Sequence, residues 1–267
     1  MKKLAVIGKD VSKSVSPEIH NYIAEKLGLE ISYEKISVPE EEFESRIDGL
    51  LSEYDGLNVT IPYKLSVIPH LKKTEGDALA FGAVNTVLTA SLTGYNTDGS
   101  GFMQMLDCQN VKTAGERALV LGAGGAGRSV AKKLLDCGSQ VEIYDRNFST
   151  AKYVENEFKG VKAVSEVTAE ERAIIVNATG VGMHKTEGVS PVTGEVLAAC
   201  RVAVDLIYEP PKSRFLAIAE SLGKKIINGR AMLFFQAYYS DCIYFGLAPD
   251  KERAEKLFKG YLKEVVK

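Results

Sequence analysis

The run Arg117-Ala118-Leu119-Val120-Leu121-Gly122-Ala123-Gly124-Gly125-Ala126-Gly127-Arg128 limits the possible folds more than any other stretch. Ala118 to Leu121 reads as a buried strand that stops at a G-x-G-x-x-G turn on Gly122, Gly124 and Gly127. Beyond the turn, Val130, Ala131, Leu134 and Leu135 recur at helical spacing, and Gly138 is placed to end that helix. Each glycine has a reason: a tight turn, close backbone approach to a pyrophosphate, and close packing of helix on strand. A second apolar strand, Val141 to Tyr144, ends at Asp145, about twenty residues on, where an acid would hold a ribose hydroxyl. A bare strand-to-helix turn needs neither the second strand nor the acid, so the whole unit predicts a dinucleotide site. Its phosphates would face the free N–H groups at the helix start.

The 267 residues suffice for two domains with full cores, and 45% hydrophobic with 25% charged residues is ordinary soluble composition. A formal net charge of -2 without a basic block argues against nucleic acid or an anionic membrane as partner. No apolar run reaches the roughly 18 residues that suggest a membrane span. Residues 1–7 do not read as a signal peptide, because Gly8-Lys9-Asp10 cuts the apolar run short. Cys108, Cys137, Cys200 and Cys242 are scattered, as expected of reduced thiols in a cytoplasmic protein. His20, His70 and His184 are too dispersed for a metal cluster, so no metal is expected.

The first hundred residues also alternate. Lys3 to Gly8 reads as a strand. A serine-rich loop then feeds a helix with Ser16 as N-cap, Pro17 at its first position, and Gly28 at its end. Ile31 to Ser37 and Gly56 to Val59 are further strands, and Pro39 opens a glutamate-rich helix between them. Thr86 to Thr89 and Leu92 to Tyr95 pair as a hairpin, followed by a helix over 99–109. The pattern predicts an α/β layer with its own parallel sheet. Four polar clusters fall where strands end, which is where open α/β sheets place ligands. They are Ser14 with Ser16, Thr60 with Lys64, Asn85-Thr86, and Asn96-Thr97-Asp98. Singly, each has a plain local use as a cap, turn former or solvated lysine. Together they describe a hydroxyl-recognising pocket with one cation and one carboxylate, suited to oxidising a polyhydroxylated small molecule.

In the second half, a helix is expected from Ser149 to Phe158 and strands over Ala173–Asn177, Val202–Asp205 and Lys225–Ile227. The polar or glycine residues at their ends, Asn177, Leu206 to Tyr208 and Gly229, are the expected lining of a cofactor crevice. Ala231 to Tyr244 reads as a core helix with Gln236 and Asp241 breaking its stripe and Gln236 spared for a ligand. The last helix, from Pro249, is amphipathic.

Several motifs resemble the shikimate dehydrogenase family. They are Ser14-Val15-Ser16-Pro17 with Ile19-His20-Asn21, Asn58-Val59-Thr60-Ile61-Pro62-Tyr63-Lys64, Gly82-Ala83-Val84-Asn85-Thr86 and Tyr95-Asn96-Thr97-Asp98-Gly99. The likeness continues through Gly122 to Ala126, Asn177-Ala178-Thr179, Asp205-Leu206-Ile207-Tyr208, Gly229 and Gln236-Ala237. It implies an α/β fold of two domains: a substrate domain over 1–99 plus 237–267 and a Rossmann-type doubly wound NAD(P)-binding domain over 100–236. The C-terminal helix would return to the first domain.

The implied activity is reversible NADP-linked reduction of 3-dehydroshikimate to shikimate in aromatic amino acid biosynthesis. Carried over by motif, Ser14 and Ser16 bind the substrate carboxylate with Tyr208 nearby, and Thr60, Asn85, Asp98 and Gln236 hold ring hydroxyls. Lys64 is the general acid/base, paired with Asp98. The carboxylate favours the ammonium form, which suits proton donation to a ketone. Gly122, Ala123, Gly124, Gly125, Ala126, Asp145, Arg146, Asn177, Leu206 and Gly229 form the cofactor set.

The chain departs from the family at the adenosine end. It reads Asp145-Arg146-Asn147 where NADP-using members commonly carry Asn-Arg-Thr, and Thr150 where a second basic residue is usual. Arg146 can pair with a 2′-phosphate, while Asp145 suits a free 2′-hydroxyl. NADP is the expected cofactor, with NAD and quinate as the alternative found in related quinate/shikimate dehydrogenases. A non-catalytic NAD(P)-binding redox sensor is the distant alternative. The expected partners are the small-molecule substrate and, at most, a second copy of the chain (monomer or homodimer).

Overall fold

The computed structural model describes residues 1–266; Lys267 and the side chain of His184 lie outside the described residues. The chain divides into two compact units, Met1–Gln104 with the segment from Phe234 onward, and Met105–Leu233.

In the first unit, β1 (Lys2–Gly8) pairs in parallel with both β2 (Ile31–Ser37) and β3 (Gly56–Val59). β4 (Lys73–Thr74), β5 (Thr86–Leu88) and β6 (Thr93–Tyr95) complete the order β2-β1-β3-β5-β6-β4. Because β5 runs antiparallel to β3 and to β6, the sheet is mixed and not the parallel one expected. β5 and β6 form the expected hairpin over a single 3₁₀ turn, Thr89–Ser91, whereas β3 and β5 are joined by the long segment 60–85, which can return the chain in either direction and here returns it antiparallel.

Around this sheet lie α1 (Ser16–Leu27), α2 (Phe43–Glu53), α3 (Asp77–Phe81) and α4 (Asp98–Cys108). Ser16 does not cap α1 as expected. No side chain caps the helix, and the Ser16 N–H itself donates to Ser14 Oγ at 3.2 Å. Gly28 ends α1 at φ 66°, the left-handed conformation that lets its N–H reach back to the last turn. The glutamates after Pro39 form a 3₁₀ turn, Glu40–Glu42, before α2 begins.

The second unit holds β7 (Arg117–Leu121), β8 (Gln140–Tyr144), β9 (Val161–Val164), β10 (Arg172–Asn177), β11 (Cys200–Asp205) and β12 (Lys225–Ile227). All pair in parallel in the order β12-β11-β10-β7-β8-β9. This is the doubly wound order, with its switch point between β7 and β10, where such sheets bind dinucleotides. The helices are α5 (Gly125–Asp136), α6 (Phe148–Glu157), α7 (Gly194–Ala198) and α8 (Arg214–Ser221). Every residue of β10 is buried, as a strand covered by helices on both faces must be.

α9 (Arg230–Phe245) carries the chain back to the first unit, and α10 (Lys251–Glu264) closes it. Phe234 of α9 packs on Phe258 and Tyr261 of α10 and on Tyr22 of α1, while Tyr261 donates to Glu18 Oε1 at 2.6 Å. Among the described residues no helix is long and apolar enough to cross a membrane, and no cluster of metal-ligating side chains is found.

Candidate active site

In the first unit the candidate site is built where β3 and β6 end and β5 begins. The turn after β3 carries Lys64, and the chain after β6 enters α4 at Asp98. Lys64 Nζ lies 2.5 Å from Asp98 Oδ2, with the side chains 12% and 7% exposed. Asn85, just before β5, donates from Nδ2 to Asp98 Oδ1 at 2.9 Å. The Asn85 amide has one possible orientation. The backbone N–H of Thr97, which can only donate, reaches Asn85 Oδ1 at 2.9 Å, so Nδ2 must face the carboxylate. The other Asp98 oxygen is thereby left to Lys64. A further acceptor, Gln236 Oε1 of α9, lies 3.3 Å from Asn85 Nδ2. Cation, carboxylate and amides thus converge, and an ammonium that spends one N–H on Asp98 has two more to offer a ligand.

Ser14 donates to Ser16 Oγ at 3.0 Å, so the two serines form one hydroxyl pair. Thr60, at the end of β3, is anchored by its backbone N–H to Ile7 O at 2.9 Å, and its side chain is half-buried. A second rank of buried polar groups stands behind these residues; the sequence placed Thr86 and Thr97 in its polar clusters without a role, and did not point to Asn58 or Ser240 as part of the pocket. Thr86, Thr97 and Ser240 meet in one hydroxyl cluster (Thr86 Oγ1 to Ser240 Oγ, 2.7 Å; Thr97 Oγ1 to Ser240 Oγ, 3.2 Å). Asn58 Nδ2 joins it at 3.2 Å from Ser240 Oγ. Thr86 and Thr97 were legible as members of the polar clusters at strand ends, Asn58 only through its place in a recognised motif, and Ser240 had no signal beyond its place one turn after Gln236.

In the second unit the cofactor candidates gather at the C-terminal ends of the strands. Gly122 has φ 99°, and a Cβ there would press on Ala178 O at 3.0 Å. A Cβ on Gly127 would stand 1.9 Å from Gly122 O, so the third glycine permits the close helix–strand contact expected of it. At Gly124 the same test finds open space, and α5 begins at Gly125, with Ala126 and Gly127 in its first turn. The N–H groups of this turn have no partner within the helix and meet that opening beside Ala123. A pyrophosphate fits the residues present.

Asp145 holds the turn from below, accepting from Ala123 N and Asn147 N, each at 2.9 Å. Arg146 is exposed beside it. The Asn177 side chain is committed within the unit. Its Oδ1 accepts from Thr179, and its Nδ2 donates to Val181 O at 3.1 Å and Asp205 Oδ1 at 3.0 Å. Asp205 in turn accepts from Ile207 N at 3.0 Å and from Ser213 Oγ, the N-cap of α8, and burial pushes its carboxyl above the usual range. This pair orders the loops after β10 and β11. Gly229 lies against Leu206, where a Cβ would be 2.0 Å from Leu206 O. Tyr208 is half-buried in the loop after β11.

Residues 6–87 match the family model described as the shikimate dehydrogenase substrate binding domain. The chain is 38% identical over 258 residues to a shikimate dehydrogenase (NADP(+)) of Thermus thermophilus, covering 96% of this chain and 97% of that one. Among solved structures, shikimate dehydrogenase 1 of Peptoclostridium difficile superposes with a TM-score of 0.89 at 32% identity, over 97% of each chain. The Thermus thermophilus enzyme in complex with NADP(H) and shikimate superposes at 0.87 and 37% identity, over 97% of this chain and 99% of that one. Sequence, fold and the positions of the polar motifs agree: the chain belongs to the shikimate dehydrogenase family.

Proposed function

We propose that this protein catalyses the reversible NADP-linked reduction of 3-dehydroshikimate to shikimate, a step in making aromatic amino acids. The first unit takes the substrate and the second takes NADP. The observation that carries the reading is the Lys64–Asp98–Asn85–Gln236 cluster, which joins a proton-moving pair to neutral groups able to grip ring hydroxyls. Ser14 and Ser16 receive the substrate carboxylate, with Tyr208 assigned to the same group by its motif. Thr60, Asn85, Asp98 and Gln236 hold the hydroxyls. The absence of a disulfide among the described residues suits a reducing, cytoplasmic setting.

NADP, when bound, supplies or takes the hydride. The turn from Gly122 to Ala126 would hold its pyrophosphate, Asp145 and Arg146 would meet its adenosine end, and the loops carrying Asn177, Leu206 and Gly229 would line the rest. In the reducing direction an Nζ–H of Lys64 passes to the substrate's carbonyl oxygen as negative charge develops there. Asp98 Oδ2 keeps the ammonium aimed, and Asn85 Nδ2 keeps Asp98 aimed. In oxidation the hydroxyl proton returns to Lys64, with Asp98 sharing it.

The test is initial-rate reduction of NADP and of NAD, each with shikimate and then quinate. Turnover of shikimate with NADP is the expected result. Comparable rates with NAD or quinate would make it a broader quinate/shikimate dehydrogenase. No turnover with any pair would sink the enzymatic reading and leave the redox sensor.

A further inference from the structure

Behind the reacting groups lies a buried ionisable pair that the reaction does not use. His20 of α1 and Asp241 of α9 are 0% and 1% exposed, with Nδ1 and Oδ1 2.7 Å apart. Neither His20 Nε2 nor Asp241 Oδ2 has a hydrogen-bond partner among the described residues. Burial pushes the Asp241 carboxyl up, and His20 pulls it part of the way back. Such a pair is a poor device for stability, since an apolar pair of the same volume would pack without the desolvation cost. What it does fix is the plane of the imidazole. That ring stacks on Tyr33 of β2, with centroids 4.4 Å apart and planes 16° from parallel.

Tyr33 is thereby clamped, and its hydroxyl donates to Asn58 Oδ1 at 2.7 Å. With Oδ1 satisfied, the Asn58 amide donates from Nδ2 to Asn85 O at 3.3 Å and to Thr86 Oγ1 at 3.4 Å. Thr86 Oγ1 donates on to Asn85 Oδ1 at 2.9 Å. Asn58 therefore props Asn85 from its backbone and its side chain at once, and Asn85 is the residue that aims Asp98 at Lys64.

We propose that Tyr33, clamped by the buried His20–Asp241 pair, is a positioning residue for the reaction, setting the hydrogen-bonded line through Asn58 and Asn85 that ends on Asp98 and Lys64. The inference rests on the shikimate dehydrogenase reading above. Without the hydroxyl, Asn58 Oδ1 is left buried with no donor, and the amide turns away from the Asn85 carbonyl to find one.

The test compares wild type with Tyr33→Phe, which keeps the ring and its stacking. The measurements are kcat, KM for shikimate, KM for NADP, and the thermal midpoint. Tyr33→Phe is expected to lose about tenfold in kcat, the worth of one buried hydrogen bond, with KM for NADP within about twofold and a cooperative melt. Asp241→Asn, which loosens the clamp, should lower kcat in the same direction. The double variant should be no slower than the slower single one, because both changes act on one line. Full kcat in Tyr33→Phe, a lowered midpoint at unchanged kcat, or losses that simply add would each overturn the proposal. If Asp241→Asn does not fold, Tyr33→Phe decides alone. A wild type inert toward shikimate and NADP overturns the functional reading and this one with it, whereas an active wild type with an equally active Tyr33→Phe overturns this one only.

Discussion

Ala123 N donates to Asp145 Oδ2 at 2.9 Å, so the acid that ends β8 is bound into the glycine turn at the end of β7. The carboxylate near the start of α5 is favourably placed against the helix dipole. On the function proposed above its charge would repel the 2′-phosphate of NADP, which exposed Arg146, next in the chain, would attract. Arg146→Ala should raise KM for NADP about tenfold and leave KM for NAD within about twofold, since only NADP carries the phosphate. Asp145→Asn keeps an acceptor for Ala123 N and should lower KM for NADP severalfold. Initial rates at fixed shikimate check both, and an unchanged NADP constant in Arg146→Ala would remove it from the cofactor set.

Lys64 sits at the other end of the chemistry. Truncating it removes the proton donor, and Lys64 belongs to the first unit whereas the cofactor candidates belong to the second. Lys64→Ala should therefore lose about 10²- to 10⁴-fold in kcat while NADP still binds within about twofold of wild type. Stopped-assay rates and fluorescence titration with NADPH separate the two quantities. Retention of most turnover would end its assignment as the acid.

The glycine turn allows a prediction about stability as well as binding. A methyl group on Gly127 would meet Gly122 O at 1.9 Å, and backbone cannot swing aside as a side chain can. Gly127→Ala should cost about 1–3 kcal/mol or more through overpacking and should weaken NADP binding together with it. A variant with wild-type melting and wild-type NADP affinity would show that the contact relaxes freely.

The second unit was readable because strands buried on both faces are written as unbroken apolar runs, such as Leu119-Val120-Leu121 and Ile174-Ile175-Val176, punctuated by glycine or polar ends. β9, α7 and α8 went unread; β9 and α7 are only four and five residues long, too short for any period to declare itself. In the first unit the reading failed where direction had to be inferred. Alternation suggested a parallel sheet, yet β5 returns against β3, which no local pattern specifies. Lys64, Asp98, Asn85 and Gln236 were legible as types at strand ends and within motifs, whereas their mutual orientation depends on Thr97 N, a backbone donor with no sequence signature. His20 and Asp241 were visible separately. Their pairing spans 221 residues and could only come from the fold.

Asp205 supplies a test by pH. It is fully buried between β10 and α8, hydrogen-bonded but with no cation against it among the described residues, and burial raises its carboxyl above the usual value. A raised native value means the folded protein holds this proton after the unfolded chain, at about pH 4, has released it. The contribution of Asp205 to stability is therefore greatest below that pH and is lost as pH rises through the raised native value. Asn in its place carries no charge to desolvate. It can still accept from Asn177 and Ile207 with its oxygen while its amide donates to Ser213. Urea unfolding of wild type and Asp205→Asn between about pH 4 and pH 7 should show the variant gaining on wild type as pH increases, with the gain levelling off once pH passes the raised native value. A difference that stays constant across that range would mean the Asp205 carboxyl titrates alike in both states, so that the hydrogen bonds from Asn177, Ile207 and Ser213 already offset its burial in full.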